Sequence, residues 1–277
     1  MRPQETAVGT EDARREIPRH VGSARGAHVR ILAVDTCSRS CSVAVTDSGK
    51  LAGEVTTLRP QTHSRHLMRM IDMALEMAGT TLDAVDAFGV TRGPGSFTGL
   101  RIGISTIKGL ALAAGKPAVG VSSLQALALP LMCFDRLVCA LLDAGKGEVY
   151  SASYRFARSA GLSETEGDSR WGTTGFSAEE KVLHPADVLA DITAPCTFVG
   201  EGARAYASLI TARLGEKARL AANEHHVIRG ASVARLAFLR LKYDAGNDIT
   251  GLVPRYLRKS DAELNLDAKR RTEPRNA

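Results

Sequence analysis

Residues 86–115 constrain the fold more than any other stretch. An apolar run, Asp86–Thr91, passes straight into Arg92-Gly93-Pro94-Gly95-Ser96-Phe97-Thr98-Gly99. A helical pattern over about Thr98–Ala114 follows, closed by Gly115 and Pro117. A strand that turns through a glycine corner directly into a helix belongs to α/β architecture. That helix carries Gly99, Gly103, Thr106, Gly109 and Ala113 among Leu and Ile. An interior glycine costs about 1 kcal/mol relative to alanine, so three of them predict that another backbone packs closely here.

The flanking sequence continues the alternation. Val29–Val34, Ser42–Thr46 and Leu51–Thr57 read as strands, separated by Asp35–Cys41 and by the turn Asp47-Ser48-Gly49-Lys50. A helix is expected over Ser64–Ala78, with Leu67, Met70, Ile71, Ala74, Met77 and Ala78 at helical spacing and Gly79 ending it. Met68, Met73 and Leu75 lie on its other faces. A helix apolar beyond one stripe is either sandwiched within its own domain or waiting for a partner, and both readings stay open here.

Beyond the glycine-bearing helix come a strand at Ala118–Val121, a helix at Leu124–Leu129, and strands at Arg136–Leu142 and Glu148–Phe156. An irregular loop is expected over Ala157–Thr174. A strand at Cys196–Gly200 follows, with helices at Ala203–Leu214 and Ala231–Ala245. A domain boundary near Leu129–Phe134 gives units of 29–131 and 132–263, with disordered extensions at 1–28 and 264–277. No internal repeat of fixed period is evident.

Composition narrows the class. Hydrophobic residues make up 44% and support a sizeable core, but aromatics are only 5%, so packing must rest on Ala, Leu, Val and Ile. The net charge of +6 invites a nucleic-acid reading until it is located. Residues 1–30 hold six Arg against four acids, and residues 255–277 hold seven basic residues against four acids. The body between is left near +1, without a basic stripe to track a phosphate backbone. The basic tails read as solvated. Five cysteines without a Cys-x-x-Cys pair indicate reduced thiols and a cytoplasmic protein. The chain has no apolar run long enough for a membrane helix, and its front end lacks the apolar core of a secretory signal.

Candidate chemistry is sparse. The Gly-x-Gly-x-x-x-Gly spacing at 93–99 is neither the dinucleotide fingerprint nor a Walker loop, and it reads as a tight turn that sets helix against sheet. Asp35 and Thr36 after one strand, and Asp143 after another, could face Mg-nucleotide across a cleft, or could simply end strands with local turns. His63 and His66 could share a metal, but a third ligand at matching spacing is missing. No nucleophile with a base, and no paired carboxylates, can be assigned.

Several segments together resemble the TsaB (YeaZ) family. They are ILAVDTCSRSCSVAV at 31–45, HSRHLMRMID at 63–72, TRGPGSFTGLRIGISTIKGLALA at 91–113, VGVSSLQALA at 119–128, LLDAGKGEVYSASY at 141–154, VGEGA at 199–203 and VPRYLRKSDAE at 253–263. The resemblance covers about residues 29–263. It implies an actin-like ATPase (ribonuclease H-like) fold, with two related α/β domains of mixed five-stranded sheets, the second reduced. It also implies a non-catalytic subunit that pairs with a TsaD-type catalytic subunit and a TsaE-type ATPase. That complex threonylcarbamoylates the adenosine next to the anticodon in tRNAs reading codons that begin with A.

On this resemblance the chain has no metal and no cofactor of its own, ATP or ADP would sit only at the joint with TsaD, and tRNA is met only through the complex. The implied interface is His63, Leu67, Met70, Ile71 and Ala74 on the first helix, with Leu100, Gly103, Ile104 and Ile107 on the second. A homodimer would compete for the same helices. The family lacks the full nucleotide site, and Gly200-Glu201-Gly202, short for a turn around adenosine, agrees with that; the departures are Gly145, at a position usually basic in the family, and residues 1–28 and 157–174, which match nothing in it. The alternatives are a small-molecule kinase or ATPase using Asp35 and Asp143, a peptidase, and a stand-alone RNA binder.

Overall fold

The structure, a computed structural model, describes residues 28–58, 63–131, 137–155, 179–243 and 249–258. The expected extension over 1–28, apart from residue 28, and the loop 157–174 and the tail 264–277 lie outside the described residues.

Among the described residues ten strands form two sheets. The first has β1 (Arg30–Asp35), β2 (Cys41–Asp47), β3 (Lys50–Thr57), β4 (Ala87–Gly93) and β5 (Ala118–Ser122), in spatial order β3-β2-β1-β4-β5. β1 pairs antiparallel with β2 and parallel with β4, and β4 pairs parallel with β5. The second has β6 (Leu137–Gly145), β7 (Glu148–Arg155), β8 (Lys181–Leu183), β9 (Cys196–Val199) and β10 (Ala218–Leu220), in order β10-β9-β6-β7-β8. Its pairings repeat the first sheet: β6 antiparallel to β7, parallel to β9, and β9 parallel to β10. The chain is thus a duplicated α/β unit with the actin-like topology. The repeat lives in strand order rather than in sequence, and the second copy has shorter outer strands.

Helices follow the same duplication. α1 (His63–Met77) comes after β3, α2 (Phe97–Ala114) joins β4 to β5, and α3 (Ser123–Ala128) follows β5. α4 (Pro185–Ala190) comes after β8, α5 (Glu201–Ala205) and α6 (Ala207–Leu214) join β9 to β10, and α7 (Gly230–Tyr243) follows β10. The single helix expected over Ala203–Leu214 is therefore two, interrupted at Tyr206. β8, β10 and α4 escape a periodicity reading because they are three to six residues long.

The contiguous domain boundary near Leu129–Phe134 does not hold in space. α3 leaves the first unit to pack on β6 and β7, while α7 returns to cover β1, β2, β4 and β5. Together they fill the layer between the sheets, in one apolar core shared by both. Outer cores lie under α1 and α2 on one side and under α4 and α6 on the other, each centred on a fully buried phenylalanine, Phe88 and Phe198. β1 contributes Ile31–Val34 fully buried on both faces, which explains its unbroken apolar run. Residues 249–258 then strap both halves. Ile249 and Leu252 are buried against the first, and Arg258 bonds the Ala144 carbonyl of the second at 2.8 Å.

The glycines of α2 are explained by one close contact. A Cβ on Gly99 would lie 1.9 Å from the Thr36 carbonyl oxygen, and one on Gly103 would lie 2.4 Å from Thr36 Oγ1. Thr36 Oγ1 donates to the Gly99 carbonyl at 2.7 Å, and the Ser96 N–H donates to the Cys37 carbonyl at 2.7 Å. The tight-turn reading of 93–99 is what the geometry shows. Gly109 differs, since a Cβ there would meet nothing within 4 Å. Gly99→Ala is expected to cost about 1–3 kcal/mol or more by overpacking, whereas Gly109→Ala should stabilise by up to about 1 kcal/mol. Urea midpoints check this, and equal effects at the two positions would refute the packing account.

Candidate functional site

The carboxyl ends of the central strands β1 and β6 face a cleft between the two halves, where ligands enter sheets of this kind. Asp35 lies at its base but is sealed. Asp35 is fully buried, and its Oδ1 accepts hydrogen bonds from Thr91 Oγ1 at 2.7 Å and the Cys37 N–H at 3.2 Å. Thr36 is also buried and bound to α2. Burial first, then the Asp35 charge, push the Cys37 thiol well above its ordinary range, so it is protonated and a poor nucleophile. Neither Asp35 nor Thr36 reaches the cleft surface.

Asp143 does reach it. It is exposed on the β6–β7 hairpin, whose Lys146 and Gly147 both adopt positive φ, 55° and 80°. That is the two-residue turn favoured in hairpins. Asp143 Oδ1 accepts from the Gly145 N–H at 2.8 Å and so caps its own turn. The structure does not present Asp35 and Asp143 together as side chains around one ligand.

The corner after β9 is filled by the chain itself. A Cβ on Gly200 would lie 2.1 Å from the Leu141 carbonyl oxygen, so α5 starts flush against β6. His226, buried, bridges this corner: its Nδ1 lies 3.0 Å from the Gly200 N–H nitrogen and its Nε2 lies 3.0 Å from the Ala221 carbonyl. Its Nδ1 also lies 3.0 Å from the Gly200 carbonyl oxygen, so the ring sits against both backbone groups of that residue. Nothing in the sequence points to His226, because its partners come from two other loops.

What remains open is a cavity of about 490 Å³ lined by Ser38, Arg39, Asp143, Glu201, Arg204 and His226. A smaller one of about 220 Å³ lies between Ser96–Phe97, Lys146, Tyr150, Tyr256 and Arg258. Burial raises the Glu201 carboxyl above its usual range, with Arg39 opposing and the Asp143 and Asp35 charges adding. Among the described residues no group of three or more His, Cys, Asp or Glu side chains could hold a metal ion. His63 starts α1, but its side chain lies outside the described residues, and His66 is half-buried.

The helix pair corrects the residue choice at the expected interface. Leu67, Met70, Ile71 and Ala74 on α1, and Leu100, Gly103, Ile104 and Ile107 on α2, are all buried. They hold the helices onto the sheet, because an amphipathic helix spends its richest stripe on its own core. Apolar side chains off this contact are left uncovered, Met77 among them although its spacing put it on the buried stripe. Met68 is 47% exposed, Met73 41%, Met77 61%, and Leu112 on α2 64%. Met68 and Met73 were legible as off-stripe, whereas Leu75, grouped with them, is buried.

Comparison with known proteins places this geometry. A family model described as TsaD, tRNA N6-adenosine threonylcarbamoyltransferase, matches residues 50–266. The tRNA threonylcarbamoyladenosine biosynthesis protein TsaB of Bacillus subtilis is 30% identical over 235 residues, which is 84% of this chain and 96% of that protein. The protein of the same name in Escherichia coli is 41% identical over 129 residues, covering 46% of this chain and only 55% of that relative. The structure of YeaZ from Pseudomonas aeruginosa superposes with a TM-score of 0.68 at 29% identity, covering 83% of this chain and all of that one. None of the described helices is long and apolar enough to cross a membrane.

Two measurements probe the cleft. Because the Glu201 pKa is raised in the fold, its effect is neutral below the ordinary glutamate pKa and turns destabilising as pH rises through the raised value. Glu201→Gln should therefore stabilise the protein at pH 7 and flatten the stability profile above about pH 4.3. A profile of unchanged shape would contradict the assignment. His226→Ala, which orphans buried backbone groups, should cost about 1–3 kcal/mol in a urea melt, and a smaller loss would mean that the corner is not held by this ring.

Proposed function

We propose a function from the premise that this chain belongs to the TsaB (YeaZ) family. On that premise it takes part in making threonylcarbamoyladenosine in tRNA, in the cytoplasm, as a non-catalytic subunit. It docks a TsaD-type catalytic subunit and, through that pair, a TsaE-type ATPase. The observation that carries this reading is the outward face of α1 and α2. Met68, Met73, Met77 and Leu112 stand on it uncovered by their own domain, beside the open Gly109. Methionine is flexible and polarisable, which suits a surface that repacks against a partner, and clustered exposed apolar residues mark interaction sites. A TsaD-type subunit shares the family model and hence offers an equivalent helix pair to lie against it.

The cleft supports the non-catalytic half of the proposal. Asp35 and Thr36 hold α2, Asp143 caps its own hairpin, and His226 fills the corner after β9. Asp35 and Thr36, committed to Thr91 and α2, are not free to hold a nucleotide's metal or phosphate, and on this reading no cofactor is assigned to this chain alone. The kinase alternative loses Asp35 to burial.

Substitutions must now target exposed positions, since Ile71→Glu or Ile104→Glu would bury a charge and unfold the domain. Met73→Glu and Gly109→Arg should leave circular dichroism and melting temperature near wild type. Each should reduce co-purification with the TsaD-type subunit of the same cell by at least about tenfold, equivalent to about 1.4 kcal/mol. Normal pairing by both variants would move the interface elsewhere, and a second copy of this chain captured instead of TsaD would make it a homodimer face. Steady ATP turnover by the isolated chain would overturn the non-catalytic assignment.

A further inference from the structure

At the edge of the first sheet, three arginines converge with too little negative charge to balance them. Arg92 is the penultimate residue of β4, and its side chain runs across Gly120 of β5, where a Cβ would meet Arg92 Cδ at 2.8 Å. Arg240 of α7 donates to the Gly120 carbonyl at 2.5 Å, so it reaches the same spot from the middle layer. Arg255 of the strap donates its backbone N–H to the Arg92 carbonyl at 2.6 Å. Its guanidinium bonds Glu180 Oε2 at 2.8 Å.

Glu180 is the one carboxylate that enters this group among the described residues, and it is already committed. Its side chain is only 4% exposed, and it accepts from both Arg255 and Ser122 Oγ. Arg92 is half-buried, and among the described residues its guanidinium makes no hydrogen bond or ion pair. Burial first, then repulsion from Arg240 and Arg255, lower its pKa, with Glu180 opposing. A half-buried cation held between two like charges is stable only if the rest of the fold enforces it, and an anion would relieve it.

We propose that Arg92, Arg240 and Arg255 form a binding site for a phosphoryl anion. The excess of two positive charges matches a doubly charged phosphoryl group, or two successive phosphodiesters, better than a single carboxylate. Planar guanidinium forks pair with phosphate oxygens two at a time. Two sources offer this chemistry: a small phosphorylated molecule or the backbone of an RNA. The site stands on its own geometry and does not depend on the pairing proposed above. A chain that pairs normally yet shows no Arg92-dependent anion effect rejects this site alone.

The test uses the full chain. Melting temperature is followed with sodium pyrophosphate against sodium chloride at matched ionic strength, and binding of labelled tRNA is followed by anisotropy over a salt series. Arg92→Gln should be at least as stable as wild type without ligand, because it removes a repelled cation, and should lose at least about tenfold in anion affinity. For RNA the slope of log affinity against log salt should also shrink by about 1. Arg92→Lys, which keeps the charge but loses the fork, should fall between the two.

Loss confined to pyrophosphate identifies a small-molecule ligand, and loss confined to tRNA identifies an RNA backbone. The proposal is overturned if wild type and Arg92→Gln respond alike to both anions, or if Arg92→Gln is markedly less stable than wild type without ligand.

Discussion

The approach of α2 to the end of β1 is backbone against backbone, and the rest of the first half is arranged around it. Thr36 sits where side chains on Gly99 and Gly103 would be, and its hydroxyl bonds the Gly99 carbonyl. On the other side of the strand end, Asp35 accepts from Thr91 of β4, so β1, β4 and α2 are tied at one buried point. Helix capping by Ser96, which accepts from the Gly99 N–H at 3.2 Å, completes the corner. Residues that a nucleotide-binding cleft would present to its ligand are here turned inward to hold the helix.

Duplication explains the remainder. Each half contributes its last helix to the space between the sheets, so neither sheet buries its inner face without the other half. Small residues make this layer thin: Gly89 faces Ala237, and Gly230 faces Ala44. With few aromatics available, area is buried by close approach rather than by large side chains. The strap over 249–258 then ties α2 to the β6–β7 hairpin, with Tyr256 stacked 4.6 Å from Phe97 and Arg258 on Ala144.

Two features among the described residues stand outside what the fold itself uses. One is the set of exposed apolar side chains on α1 and α2, Met68, Met73, Met77 and Leu112. The other is the arginine group around Arg92. They lie on different elements and offer different chemistry, apolar and cationic, so they need not serve the same partner.

Much was legible from residues alone. The strand meander, α1, the glycine corner, α2 and the alternation that follows are local patterns, and local patterns are written in consecutive side chains. So was the close helix packing beside the 93–99 turn, although of the three interior glycines only Gly99 and Gly103 meet a neighbour and Gly109 does not.

What sequence could not give was which neighbour. Helical spacing marks Leu67, Met70, Ile71, Ala74 and Met77 as one stripe, but only the position of the sheet decides that the first four are inside while Met77, past the end of the contact, joins Met68 and Met73 outside. The same holds for α3 and α7, whose exchange between halves breaks a contiguous domain boundary, and for His226, whose two partners are set by loops remote from it. Periodicity is a property of a segment. Which side of it meets water, and which charges meet one another, depends on where distant segments land.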